Sequence, residues 1–98
     1  MAAYAIACVQ VHDWERYKQY IQRTPAVIAK YGGKFIVRGG EAVTLEGAEE
    51  TPRVIVIEFP SLAQAKTFYN SKEYQEVRKL RIGAATASFI AVEGCSAD

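Results

Sequence analysis

Ninety-eight residues, 50% hydrophobic and 23% charged, suit one ordinary globular domain, and no Gly/Ser-rich linker, charge block or low-complexity tract divides residues 1–98. Twelve basic side chains against eleven acidic ones leave a formal charge of +1, which offers no broad electrostatic footprint for nucleic acid or an anionic membrane. Two cysteines, Cys8 and Cys95, with the single His12 fall short of the four ligands of a structural zinc site, so reduced thiols, no metal and no cofactor are expected.

The first apolar run, "YAIACVQV" at residues 4–11, reads as a buried strand. The chain reaches His12, Asp13 and Glu15 too soon to span a bilayer and has no basic leader, so a cytoplasmic location is expected. Asp13 is placed to cap a helix whose large apolar residues recur at Trp14, Tyr17, Ile21, Ile28 and Tyr31. Proline has no N–H for the carbonyl four residues back, so at Thr24–Pro25 the helix either kinks or restarts; Gly32 and Gly33 end it. "KFIVRGGEAVTLEG" then reads as a long second strand with a bulge or bend at Gly39 and Gly40, and "GAEETP" as a polar turn. The third strand, "RVIVIEF", stops at Pro60. Ser61 with Gln64 makes a capping box for a helix buried through Leu62, Ala65, Phe68 and Tyr69. That helix should pause near Asn70 and Ser71 and resume through Tyr74 and Val77 to Leu80 or Arg81, before "ATASFIAVEG" closes the chain as a fourth strand.

The order strand, helix, strand, strand, helix, strand predicts an α+β, ferredoxin-like βαββαβ sandwich: a four-stranded antiparallel sheet with its helices on one face. The strands are apolar on both faces. Val54, Val56 and Glu58 alternate with Ile55, Ile57 and Phe59, and Tyr4, Ile6 and Cys8 with Ala5, Ala7 and Val9, whereas a sheet with one wet face should alternate apolar with polar. The helices cover one face only, so the second should pack against another copy, giving a homodimer through the open sheet face.

Glu58 interrupts an otherwise oily strand. If the second hairpin turns about Ala48, Arg38 falls opposite Glu58. Either the two form a structural ion pair that relieves the cost of a half-buried carboxylate, or they make the polar end of a small-molecule pocket.

"AKYGGKFIVRGG" and "RVIVIEFPSLAQAKTFYNSKEYQEVRKLR" resemble the domain of unknown function 1330 family, with a likeness running from Tyr4 to Gly94. That family is similar to the dimeric α/β-barrel superfamily, in which two ferredoxin-like subunits join their sheets and each keeps a cleft between sheet and helices. Relatives there include cofactor-free monooxygenases, muconolactone isomerases and haem-handling enzymes. The resemblance puts Asp13, Tyr31, Arg38, Glu58, Ser71, Tyr74 and Arg81 in the polar motif. Of these, Arg38, Glu58, Tyr31, Tyr74 and Arg81 are the candidate substrate-binding residues. Asp13 and Ser71 also serve as helix caps, the tyrosines as core with a hydroxyl at its edge, and Arg81 as part of a solvated helix face beside Arg78 and Lys79. His12, the one imidazole, and Glu58 are the catalytic candidates.

The leading expectation is a homodimer that binds a small anionic or aromatic metabolite in a sheet–helix cleft, as a cofactor-free isomerase or monooxygenase; the alternative is a binding or structural dimer without chemistry. An RNA-binding module shares the strand–helix order but needs aromatics on its open sheet face, where these strands carry aliphatics. No nucleic-acid or membrane partner is expected.

Overall fold

The computed structural model describes residues 1–47 and 52–95. Its elements are β1 (Ala3–Val11), α1 (Trp14–Lys30), β2 (Lys34–Arg38), β3 (Arg53–Phe59), α2 (Leu62–Asn70), α3 (Lys72–Arg78) and β4 (Ala85–Glu93). The sheet is antiparallel with strand order β2-β3-β1-β4, the ferredoxin-like arrangement expected from the element order, and it is open, with β2 and β4 at its edges.

One face of the sheet carries the core. Ala3, Ala5, Ala7 and Val9 of β1 and Ile55, Ile57 and Phe59 of β3 are buried under the helices, while the residues between them are partly open. The small side chains on the central strand leave depth for an aromatic layer from above: Tyr17 and Tyr20 of α1, Phe68 of α2 and Tyr74 of α3, all buried. Phe68 and Tyr74 lie 4.6 Å apart between ring centroids, and Phe59 and Phe68 5.1 Å, distances at which offset aromatic pairs attract.

The helix face differs from the expected one at several positions, with Ile21 and Tyr31 only half-buried. Tyr17, Tyr20, Thr24 and Ile28 are the buried residues of α1, whereas Trp14 at its start is 51% exposed. The helix also runs unbroken through Pro25. Proline leaves the carbonyl of Ile21 without its helical donor. Two side chains take that carbonyl over: the Thr24 hydroxyl donates to it at 3.3 Å and the Arg38 guanidinium, from β2, at 3.3 Å. Pro25 is thus accommodated by borrowed donors, one of them from the neighbouring strand.

The second strand is shorter than its sequence suggests. It ends at Arg38, because Gly39 adopts φ +71°, outside the β region, and donates its N–H back to Val54 at 2.9 Å. The remainder, residues 40–47, forms no strand, and its apolar Val43 and Leu45 are exposed, the latter at 93%. The predicted bulge is present but lies earlier, between Phe35 and Val37, where Ile36 is the unpaired residue. The expected turn at "GAEETP" falls largely outside the described residues.

The break between α2 and α3 comes where the capping pattern put it. Ser71 is extended at ψ 149°, its N–H donates to Phe68 and its hydroxyl accepts from the Tyr74 N–H at 3.1 Å, so one residue closes one helix and opens the next. Helix α3 ends at Arg78. A turn follows, with Gly83 at φ +85°, in which the Arg81 carbonyl accepts from Ala84 and Ala85 at 2.9 and 3.1 Å. No helix of the described residues is long and apolar enough to cross a membrane.

Candidate functional site

The β2 bulge decides where Arg38 sits. Lys34 stands opposite Glu58 and Phe35 opposite Ile57, but after the extra residue Val37 faces Val56 and Arg38 faces Ile55. Phe35 and Arg38 therefore share the helix side with Ile55 and Ile57, while Lys34 and Val37 share the open side with Glu58 and Val56. The expected Arg38–Glu58 pair does not form, because the two residues lie on opposite faces of the sheet. Glu58 pairs with Lys34 at 3.2 Å and accepts from the Tyr4 hydroxyl at 3.3 Å. Arg38 lies with its guanidinium 4.4 Å from the Phe35 ring centroid and clips β2 to the Ile21 carbonyl.

The interior beside Arg38 is nearly full. Tyr17, Tyr20, Ile28, Phe35, Arg38 and Tyr74 are among the side chains around a cavity of about 20 Å³, the size of a water molecule. The Tyr20 and Tyr74 hydroxyls meet there at 2.8 Å. Burial, reinforced by the neighbouring Tyr74 phenol, pushes the Tyr20 phenol far above its ordinary value; burial also raises Tyr74, against the lowering pull of its hydrogen bond with Tyr20, of the nearby Arg81 charge and of hydrogen bonding from the Arg81 guanidinium. Both stay protonated and neutral near pH 7, so neither acts as a base.

Tyr31 ends α1 and reaches across to α3, where its hydroxyl donates to Glu73 at 3.0 Å beside the Lys30–Glu73 ion pair. The Lys30 hydrogen bond holds the Glu73 carboxyl down to about 2. Asp13 accepts from the Arg16 N–H as the N-cap of α1. His12 stands at the end of β1, exposed, with Nε2 2.8 Å from the Thr86 hydroxyl. These residues are held by contacts that explain them within the fold, and none of them lines the larger cleft described next.

That cleft, of about 360 Å³, lies between α2, the end of α3 and β4. Its floor is the helix side of the sheet at Ala5, Ala87 and Ala91, side chains that stop at Cβ on positions where strands favour bulk. Phe68 and Tyr69 of α2 and Phe89 of β4 wall it, with the Tyr69 and Phe89 rings 5.7 Å apart. Its polar groups are Lys66, Asn70, Arg78 and Arg81, and among the described residues no acidic side chain lines it.

Arg81 is the unusual member. The residue is 6% exposed, its Nε is buried without a hydrogen-bond acceptor, and no ion pair among the described residues includes it. Its guanidinium rests 5.7 Å from the Tyr20 ring and 5.5 Å from the Phe89 ring, contacts that soften the cost of burying a charge without neutralising it. Arg78, half-buried on the same cleft, also carries a buried Nε without a partner. Of the five substrate-binding candidates only Arg81 lines this cleft. Arg78, Lys66, Tyr69 and Phe89 escaped the sequence reading, although the Arg78-x-x-Arg81 spacing, one helical turn, was a signal that could have paired the two arginines.

A family model described as domain of unknown function (DUF1330) matches residues 2–95. No curated protein sequence matches the chain. Among solved structures, the RPA0582 protein of unknown function from Rhodopseudomonas palustris is similar at 22% identity, with 97% of this chain and 83% of that one covered and a TM-score of 0.78. SnoaB from Streptomyces nogalater, described as a cofactor-independent oxygenase, is similar at 11% identity over 97% and 94% of the two chains, TM-score 0.69. A dimeric protein of unknown function with a ferredoxin-like fold from Bacteroides fragilis is similar at 15% identity over 95% and 96%, TM-score 0.67. At these identities the likeness is one of fold.

Proposed function

The chain belongs to the domain of unknown function 1330 family, and we propose that it is a homodimer that binds a small organic anion in the cleft between α2, α3 and β4. One observation carries the reading: Arg81 is a buried cation lining a cleft, and among the described residues no carboxylate pairs with it. A buried charge without a counter-charge is costly, and a protein retains one where a ligand supplies the missing partner. The volume suits this, since small-molecule sites commonly measure ~300–1,000 Å³. The aromatic walls and alanine floor fit the organic body of the ligand, as a charge-assisted bond to Arg81 fits its anionic end.

Binding without turnover is the better-supported form of the proposal. The catalytic candidates His12 and Glu58 do not line this cleft, and among the described residues its lining contains no His, Cys, Asp or Glu to move a proton near neutrality. The dimer is supported by the bare face of the sheet, where Val37, Ile90 and Val92 are exposed, Ile90 at 61%, and by the dimeric state ascribed to the Bacteroides fragilis protein. The cleft floor at Ala5, Ala87 and Ala91 lies on the other side of the sheet from that face, and the two meet at the edge strand, where Ile90 also lines the cleft.

The test is a sodium benzoate titration followed by the arginine Nε–H resonances in a ¹⁵N-labelled sample. A saturable shift of the Arg81 signal, lost in Arg81→Met, is the expected result. Absence of any saturable arginine shift at millimolar benzoate would overturn the anion reading. Sedimentation at micromolar concentration should give twice the 10.8 kDa chain mass, and a species of 10.8 kDa would remove the dimer.

A further inference from the structure

Resting on the anion reading above, we infer that the natural ligand of the cleft is a dianion, carrying two carboxylates or one phosphate monoester group, whose two charges are shared by Arg81 and Arg78. Among the described residues the cleft is lined by three cationic side chains, Lys66, Arg78 and Arg81, and by no acidic one. The two guanidiniums each present a buried Nε–H that lacks an acceptor. They are set side by side by the end of α3: Arg81 donates its backbone N–H to the Arg78 carbonyl at 2.9 Å, and the three-residue spacing brings both side chains to the cleft. Lys79 between them turns outward and pairs with Glu76 at 3.3 Å.

A monoanion in the cleft pairs with one of the two lining guanidiniums and leaves the other beside a like charge without a counter-charge. A dianion meets both, and each added charge-assisted hydrogen bond in a partly buried site raises affinity by about tenfold or more. A dicarboxylate and a phosphate monoester share this chemistry. Planar guanidinium forks suit either, so the probes must separate them.

The experiment is calorimetric titration of the wild-type protein at about pH 7.5, where a phosphate monoester is a dianion, with sodium benzoate, phthalate and phenyl phosphate. At least one of the two dianions should bind about tenfold or more tightly than benzoate. Phthalate ahead of phenyl phosphate assigns a dicarboxylate ligand, and the reverse order a phosphate ester. For phenyl phosphate, affinity should fall as pH drops through its second ionisation at about 6, whereas benzoate should be unaffected there. The ionisable groups lining the cleft among the described residues are Lys66, Tyr69, Arg78 and Arg81, with no His, Asp or Glu beside them, so such a slope is assigned to the ligand. Arg78→Gln, at a half-buried position, should erode the dianion advantage more than it weakens benzoate. If benzoate binds as tightly as both dianions, the dianion inference is overturned while the anion reading stands. If no probe binds, benzoate included, the anion reading itself falls and the inference with it.

Discussion

Replacing Arg81 by methionine separates a binding residue from a structural one by the sign of its effect on stability. Methionine fills much of the same volume without a charge. In the ligand-free protein the substitution removes a guanidinium whose Nε finds no acceptor, relieving an unmet buried donor that costs about 1–3 kcal/mol. It also removes the contacts to the Tyr20 and Phe89 rings, at 5.7 and 5.5 Å, each worth ~0.5–2 kcal/mol. The two effects nearly offset, so the variant should lie within about 1 kcal/mol of wild type, or about 4–8 °C in Tm. A residue serving a buried ionic network would instead lose ~3–5 kcal/mol on truncation. The assay is urea unfolding at one fixed protein concentration, with and without sodium benzoate, because association makes apparent stability concentration-dependent. Wild type should gain ~2.7 kcal/mol when benzoate reaches a hundred times its Kd, and the variant nothing. A variant that loses ~3 kcal/mol or more yet keeps the benzoate gain would refute the reasoning, since Arg81 would then be holding the fold together and not the ligand.

Arg38 makes the opposite prediction. Arg38→Met should leave benzoate affinity unchanged and cost about 1 kcal/mol by stripping a donor from the Ile21 carbonyl. In a Pro25→Ala background, where the helix N–H returns to that carbonyl, the cost should fall by more than half; equal costs in both backgrounds would show that Arg38 does not compensate Pro25. Tyrosinate absorbance should rise on alkaline titration without Tyr20 and Tyr74, whose phenols are raised above 10.0. Because folded pKa values above the unfolded ones stabilise below pH 10 and lose that stabilisation above it, folding should weaken by about 1.4 kcal/mol per pH unit for each phenol still protonated. If all tyrosines titrate together before unfolding, the buried pair is wrongly described. Glu73 has the reverse sign: held down to about 2 from 4.5, its contribution is complete above pH 4.5 and fades as pH falls towards 2. Acid unfolding of Glu73→Gln should be shallower across that window, and identical curves would remove the Lys30–Glu73 contribution.

The parts of this fold that could be read from the sequence are those set by local signals. Short apolar runs marked β1, β3 and β4, the capping pattern at Ser61 and again at Ser71 marked where α2 begins and where the chain pauses, and the apolar character of both sheet faces followed from the lack of polar alternation in the same runs. Register is not local. A regular hairpin about Ala48 pairs Arg38 with Glu58, yet Gly39 leaves the sheet and Ile36 bulges, so the partner of Arg38 is Ile55. Positions 58 and 55 differ by three, an odd number, and an odd displacement puts a side chain on the other face of a sheet. That three-residue difference in register, one residue of it from the bulge, therefore moved Arg38 from the open face to the rim of α1.

Arg81 had two readings in the sequence, a solvated helix position beside Arg78 and Lys79 or a cleft position with an anion to hold, and local signals could not separate them: α3 stops at Arg78, and the Gly83 turn folds Arg81 back beneath the helices. The resemblance to the family marked the residue, but its burial follows only from the turn. The consequence for function is geometric. A central strand of alanines gives the helices room for an aromatic layer, and where that layer gives way near β4 the same small side chains leave a trough instead of a core. Bulk at Ala91, which is exposed, should cost the fold little and close that trough, so Ala91→Leu would discriminate a cleft built to hold a ligand from one that is only unfilled: loss of benzoate binding at unchanged Tm supports the first, and retained binding places the anion elsewhere.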